Sequence, residues 1–272
     1  MTRTSAPAPP ALPTAPVTPT VDLLVRAAQE FRRGGWVFTG FHWPVLAGQV
    51  AHELAGEEFT QVFEAGASTH GAARIVPTST TDYPAYGNAL GWVGDTAGAL
   101  LAMARRYDRV VLDAANVDIL GQVNSSYVGE RVRPSVRLPG GGGAADVAAQ
   151  ARELVWLHGG DDMLRLVARV EHVTARPGPD SVVRLHTRWG CLRLDGQPHL
   201  EELADTPGSA EFLDRLAELG VSTGTAVPRP PADDEARRAA ARVLREAAGR
   251  GYAAGRRAVT EIEIDTLLQE DT

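Results

Sequence analysis

Five short apolar runs, separated by stretches with helical spacing or glycine, limit what this chain can fold into: residues 36–39, 59–63, 109–112, 154–157 and 182–185. Each reads as a strand. Between them, Val21, Leu24, Val25, Ala28 and Phe31 recur on one helical face, with Thr20 as N-cap and Gly34-Gly35 as the stop. A turn at 40–44 leads into a helix ending near Leu54, and further helices are expected over 97–106, 210–219 and 233–248. Residues 66–95 read as irregular. Strands alternating with helices predict an α/β fold, an open and largely parallel sheet flanked by helices. Such sheets bind ligands at the C-terminal ends of their strands.

Composition narrows the chemistry. With 272 residues, the chain is long enough for a substantial core. Residues 1–20 hold six prolines among Ala and Thr and are expected to form a disordered tail, leaving 21–272 as the folded domain. A net charge of −7 argues against a general nucleic-acid or anionic-membrane binder. No apolar run reaches the roughly 18–20 residues of a membrane span. The N-terminus lacks the apolar core of a secretory signal, so a cytoplasmic protein is expected. Cys191 is the only cysteine, which excludes intramolecular disulfides and thiolate-rich metal sites, and its strand-like surroundings make it a packed residue. The chain has no lysine. Schiff-base chemistry and a Walker-A phosphate loop are therefore excluded on this chain.

Two elements carry chemistry. Glu64 follows the run at 59–63 and so falls at a strand tip, where a carboxylate can attack an activated acyl carbonyl. Residues 117–147 hold an acid-bearing turn, a Gly-x-x-Asn element, a short strand ending in Arg-Leu-Pro, and the glycines 140–143 before a helix. Four glycines expose backbone N–H groups to an anion or a thioester oxygen, and a helix starting near Gly143 would add its dipole. A partial G-x-G-x-x-A match at Gly140, Gly142 and Ala145 is weak, with Pro139 in the turn. None of the seven histidines forms an i,i+4 pair with a supporting acid, so no metal site is expected. His70 is expected to line a pocket beside Glu64.

Together these elements resemble the β subunit of the family I coenzyme A transferases, of the glutaconate CoA-transferase type. The resemblance runs from about Val21 to Pro231. FTGFHWPVLAGQVAHEL resembles the family's strand, glycine turn and helix; QVFEAG its nucleophile segment; LDAANVDILGQVNSSYVG its Gln-Val-Asp…Gly-Asn element; VRLPGGGGAADVA its Arg-Leu-Pro-Gly segment. VEHVTA and the closing proline-then-helix segment fit more loosely. Asp113 stands where the family usually has glycine, Asn116 where it has glutamine, Gln122 where it has asparagine, and Gly141 where it has serine or alanine. Residues 69–96 depart from the pattern.

The resemblance implies a subunit of a hetero-oligomeric enzyme that moves CoA between carboxylic acids, with an α-type partner and an acyl-CoA thioester as substrate rather than a resident cofactor. It implies Glu64 as the nucleophile, Asn124 and Gly140, Gly141, Gly142 and Gly143 as CoA contacts, and Gly40, Phe41, His70 and Asn116 as the substrate pocket. Two alternatives stay open: hydrolysis, C–C cleavage, decarboxylation or condensation with Glu64 as general base, and a structural subunit whose partner carries the chemistry.

Overall fold

The computed structural model describes residues 18–54 and 57–260. In chain order the strands are β1 (Arg33–Thr39), β2 (Glu57–Phe63), β3 (Ala67–Thr69), β4 (Leu90–Val93) and β5 (Arg109–Asp113). Then come β6 (Asn116–Asp118), β7 (Val123–Asn124), β8 (Tyr127–Gly129), β9 (Pro134–Arg137) and β10 (Glu153–His158). The last are β11 (Leu166–Val167), β12 (Val182–Thr187), β13 (Gly190–Arg193), β14 (His199–Leu203) and β15 (Val227–Pro228). The helices are α1 (Pro19–Phe31), α2 (Trp43–Glu53), α3 (Tyr83–Tyr86), α4 (Ala144–Ala148), α5 (Ser209–Glu218), α6 (Asp234–Gly249) and α7 (Ala253–Thr260).

Ten strands make one sheet in the order β15-β14-β13-β12-β10-β5-β1-β2-β3-β4. Its centre, β12-β10-β5-β1-β2, is parallel, whereas β13, β14, β3 and β4 attach by antiparallel pairings at the two sides. The expected α/β class and largely parallel sheet are therefore present. The middles of the central strands are mostly apolar because both of their faces are covered there. Val37, Val111, Val155 and Leu157 face a cluster built with α1, α2, α6 and α7. Phe38, Val110, Leu112, Leu154 and Trp156 face the opposite one, with α5 and the small strands. Trp156 does a second job: its indole N–H donates to the Gly121 carbonyl at 2.9 Å, tying the Gly-x-x-Asn turn to the sheet. Truncating it to alanine would cost about 3–5 kcal/mol.

Several expectations need correction. Helix α1 already begins at Pro19, with Thr18 rather than Thr20 as its N-cap and no side-chain capping bond. Proline suits that first helical position because its missing N–H has no partner there anyway. Residues 18–20 of the expected tail thus belong to the fold, and residues 1–17 lie outside the described residues. Gly34 and Gly35 do not stop a helix; they open β1 with φ of 77° and 84°. Within the stretch 66–95, β3 and β4 extend the sheet and α3 makes a single turn, whereas residues 70–82 are irregular as expected. The stretch 97–106 is a π turn over Gly98–Ala102 and a 3-10 turn over Ala104–Arg106, not one α-helix. Cys191 is buried in β13, as expected. Among the described residues no helix is long and apolar enough to cross a membrane.

Candidate active site

The parallel centre of the sheet delivers its chemistry to one edge. Thr39 pairs with Phe63 and with Val111, and Leu157 pairs with Asp113. The residues that follow β1 and β2, and those that end β5 and β10, therefore stand side by side: Gly40, Glu64, Asp113 and His158. Sequence spacing placed Glu64 at a strand tip, and it is there, half-buried.

Glu64 meets the glycine run. The Gly143 backbone N–H donates to Glu64 Oε1 at 3.2 Å. A Cβ on Gly142 would stand 3.1 Å from Glu64 Oε2, so any side chain there presses on the carboxylate. Gly142 has φ +49° and Gly140 φ +98°, conformations that favour glycine. The run is pinned from behind. Gly140 N–H donates to the Ser125 carbonyl at 2.7 Å. Ser125 sits in a turn that Asn124 organises: its Nδ2 donates to the Tyr127 carbonyl at 2.7 Å, and its Oδ1 accepts from the Ser126 and Tyr127 N–H groups at 3.0 and 3.3 Å. Asp118 closes the preceding turn by accepting from the Leu120 and Gln122 N–H groups. Helix α4, after the glycines, is only five residues long. Its dipole is correspondingly weaker than a full helix would supply.

No family model matches the sequence. Part of it is similar to one of the subunits of the 3-oxoadipate CoA-transferase of Pseudomonas knackmussii, 28% identical over 142 residues, which are 49% of this chain and 51% of that protein. The chain thus matches about half the length of that curated relative. Among solved structures, glutaconate coenzyme A-transferase from Acidaminococcus fermentans superposes with a TM-score of 0.71 at 20% identity, covering 87% of this chain and 97% of that one. The fold is that of the CoA transferases. The decarboxylase AibA/AibB shares it, with a TM-score of 0.70 at 23% identity over 85% of this chain and 95% of that one.

On this CoA-transferase fold the other expected site residues are spread out. Gly40 packs on β5, its N–H donating to the Val111 carbonyl at 2.9 Å, and a Cβ there would stand 2.9 Å from Leu112 Cδ2. Phe41 is exposed and packs on Tyr252 with ring centroids 5.7 Å apart. Asn116 borders a cleft of about 340 Å³ on the same edge, one that does not include Glu64. Asn124 is buried, and its side chain is spent on the turn. His70 is the clear correction. It bonds to Thr60 Oγ1 at 3.2 Å and lines a separate cavity of about 570 Å³ with His52 and Trp36. Because β3 runs antiparallel to β2, each step from Thr69 to His70 leads away from Glu64. Thr60 and Glu64 are four residues apart, roughly 13 Å along an extended strand.

Sequence reasoning passed over His42 and His158, both bordering the 340 Å³ cleft. His42 lies in the turn between β1 and α2, where only its neighbours drew attention; His158 was visible as the polar end of an apolar strand. Among the described residues, no group of three or more His, Cys, Asp or Glu could hold a metal ion.

Proposed function

We propose that this chain is the β-type subunit of a two-chain CoA transferase that moves CoA between carboxylic acids through a glutamyl-CoA thioester on Glu64. The observation that carries this reading is the contact of Glu64 Oε1 with the Gly143 N–H, 3.2 Å, at the C-terminal edge of the parallel strands.

The chemistry follows from that contact. A carboxylate oxygen of Glu64 attacks the acyl-CoA carbonyl carbon, the C–S bond breaks, and CoA leaves as thiolate with an acyl-glutamyl anhydride behind it. The thiolate then attacks the Glu64 Cδ and expels the donor carboxylate, giving the glutamyl-CoA thioester. An acceptor carboxylate reverses the two steps on a new acyl group, and Glu64 returns unchanged. No net proton is consumed. Oxygens that gain charge in these steps need N–H donors, and removing one such donor typically costs about 10²–10³ in rate. The glycine run supplies donors without a Cβ in the way.

A partner chain is part of the reading. Glu64 stands at an open edge, and all residues of β4, the last strand of the sheet, are exposed, Trp92 and Val93 among them. Apolar edges of this kind are usually covered. We assign that role to an α-type CoA-transferase subunit, and we place the enzyme in the cytoplasm with its acyl-CoA substrate.

Mass spectrometry of the co-purified complex, given acyl-CoA without acceptor, tests the mechanism. A CoA adduct should appear on the Glu64 peptide, borohydride should reduce it irreversibly, and Glu64→Gln should abolish both adduct and turnover. Turnover with no adduct would move the assignment to hydrolysis or C–C cleavage with Glu64 as general base. Turnover indifferent to Glu64→Gln would leave this chain a structural subunit.

A further inference from the structure

The cleft of about 340 Å³ that His42, Asp113 and His158 line, at the same sheet edge as Glu64, has an unusual wall. His42 has φ 71° and ψ −114°, and it is the only non-glycine residue with positive φ among those described. These angles match the first central position of a type II′ turn, which glycine normally takes. A histidine there is strained, because its Cβ crowds the backbone where glycine would not. Its ring is also fixed on three sides. Nδ1 lies 3.3 Å from Asp113 Oδ2, the ring stacks on Tyr252 at 5.7 Å and 10°, and Trp43 meets it edge-on at 5.7 Å. Asp113 is itself a residue that departs from the family's glycine. A strained backbone that presents one ring, held by one carboxylate, is the arrangement of a group that reads something.

His158 forms the floor. It is 6% exposed, and its Nδ1 lies 2.8 Å from the Ala114 carbonyl, so Nδ1 carries the hydrogen. In the neutral ring Nε2 is then an acceptor, and it is buried without a partner. A Cβ on Gly160 would stand 3.0 Å from it, so glycine at that position keeps the space beside the ring open. A buried acceptor left unmet is destabilising, and a donor brought by a ligand would relieve it.

The charges agree. Arg165, the cation of the cleft, already donates to Asn116 Oδ1 at 3.1 Å and pairs with Asp162 at 3.1 Å. Asp113, Asp161 and Asp162 outnumber it. Such a wall disfavours a free carboxylate and favours a group that donates hydrogen bonds. His42 leaves the strand next to that of Glu64, and Asp113 ends the one beyond it, roughly 5 and 10 Å across the sheet. An acyl chain of a few carbons spans that distance.

We propose that this cleft is the acyl-selectivity subsite of the enzyme and accepts an acyl chain bearing a hydrogen-bond donor, a hydroxyl or an ammonium group, read by His42 and His158. The identity of the ligand as an acyl-CoA rests on the transferase reading above. The test uses the full chain in its co-purified complex, with hexanoyl-CoA and its terminally hydroxylated and terminally aminated analogues as probes. Equilibrium binding by calorimetry and KM against kcat are measured for wild type, His42→Gly and Asp113→Asn, with melting temperatures alongside. Wild type should bind a donor-bearing analogue roughly tenfold tighter than hexanoyl-CoA. The arm with the larger gain identifies hydroxyl or ammonium as the group read. His42→Gly should erase the preference through KM while leaving the melting temperature unchanged or higher, because glycine relieves the backbone. A merely structural histidine would give the opposite pattern, a lower melting temperature with the preference kept, and that would overturn the proposal. So would equal binding of all three probes by wild type. Covalent labelling of Glu64 by plain hexanoyl-CoA is scored separately. Labelling without discrimination removes the subsite alone, and discrimination in binding without labelling removes the transferase mechanism alone.

Discussion

Replacing Gly142 by alanine is the sharpest probe of the contact between the glycine run and Glu64. Two effects can be separated in advance. The backbone sits at φ +49°, in the left-handed region, where an alanine costs roughly 1–2 kcal/mol. At about 2–4 °C per kcal/mol for a chain of this size, the melting temperature should fall by several degrees. The new Cβ would also lie 3.1 Å from Oε2 and 3.3 Å from Oε1 of Glu64, so the carboxylate must retreat by a few tenths of an ångström. Its bond from the Gly143 N–H, at 3.2 Å, is already at the long end of the normal range and would be lost. Misplacing a nucleophile in this way costs on the order of 10²-fold in rate. Gly196→Ala, in the turn between β13 and β14, is the matched control. Its φ is +76° and nothing lies within 4 Å of the added Cβ, so it strains the backbone away from the glycine run. The assay is the rate at which borohydride traps the Glu64 adduct, measured for both variants beside their melting curves. Gly142→Ala should lose labelling far beyond its loss of stability, whereas Gly196→Ala should lose stability and keep most of its labelling. Wild-type labelling in Gly142→Ala, or equal losses in both variants, would refute the argument.

Other outcomes follow from the packing. Glu30 on α1 and His186 on β12 form a buried pair at 2.9 Å. Burial alone would push the Glu30 carboxyl up, but the bonds from His186 and Arg33 outweigh it and hold it at about 2. Burial would likewise push His186 down, but Cys191 and the Glu30 carboxylate outweigh it and hold the ring at about 10. The pair's stabilisation is therefore complete between the ordinary values of 4.5 and 6.5. It fades as pH falls toward about 2 through Glu30, and as pH rises toward about 10 through His186. Urea titrations across that range should show the plateau and both declines, and Glu30→Gln should cost about 3–5 kcal/mol near neutrality and flatten them. Asn124→Ala removes three bonds of the turn that pins Gly140, so it should cost about 1–3 kcal/mol and slow Glu64 labelling although Asn124 does not touch Glu64; unchanged labelling would detach that turn from the site. Trp92→Glu places a charge on the exposed edge strand and should abolish co-elution with the α-type subunit on gel filtration while leaving this chain's circular dichroism intact.

What could be read from the sequence alone were features that depend on neighbours in the chain. The apolar runs at 36–39, 109–112 and 154–157 are strands because residues this uniformly apolar need cover on both faces, and the spacing of Val21, Leu24 and Phe31 marks a helix face whatever it packs on. Glu64 could be placed at a strand tip for the same reason, since one run of residues determines it. The glycines at 140–143 were legible as a run of backbone N–H groups without Cβ atoms, because four missing side chains are a local fact.

Only the tertiary structure decided what meets what. Gly143 reaches Glu64 across 79 residues of sequence. His70 lies only six residues past Glu64, yet it belongs to a different cavity because β3 turns back along β2. Asn124 reads as a ligand contact in the sequence, but its amide and carbonyl are spent inside its own turn. The edge strand β4 is apolar but only four residues long and broken by Gly91, too short to stand out as a strand by periodicity. His42 left no signal at all: its importance lies in a positive φ and in a carboxylate 71 residues away, and both are properties of backbone geometry and strand order rather than of residue type.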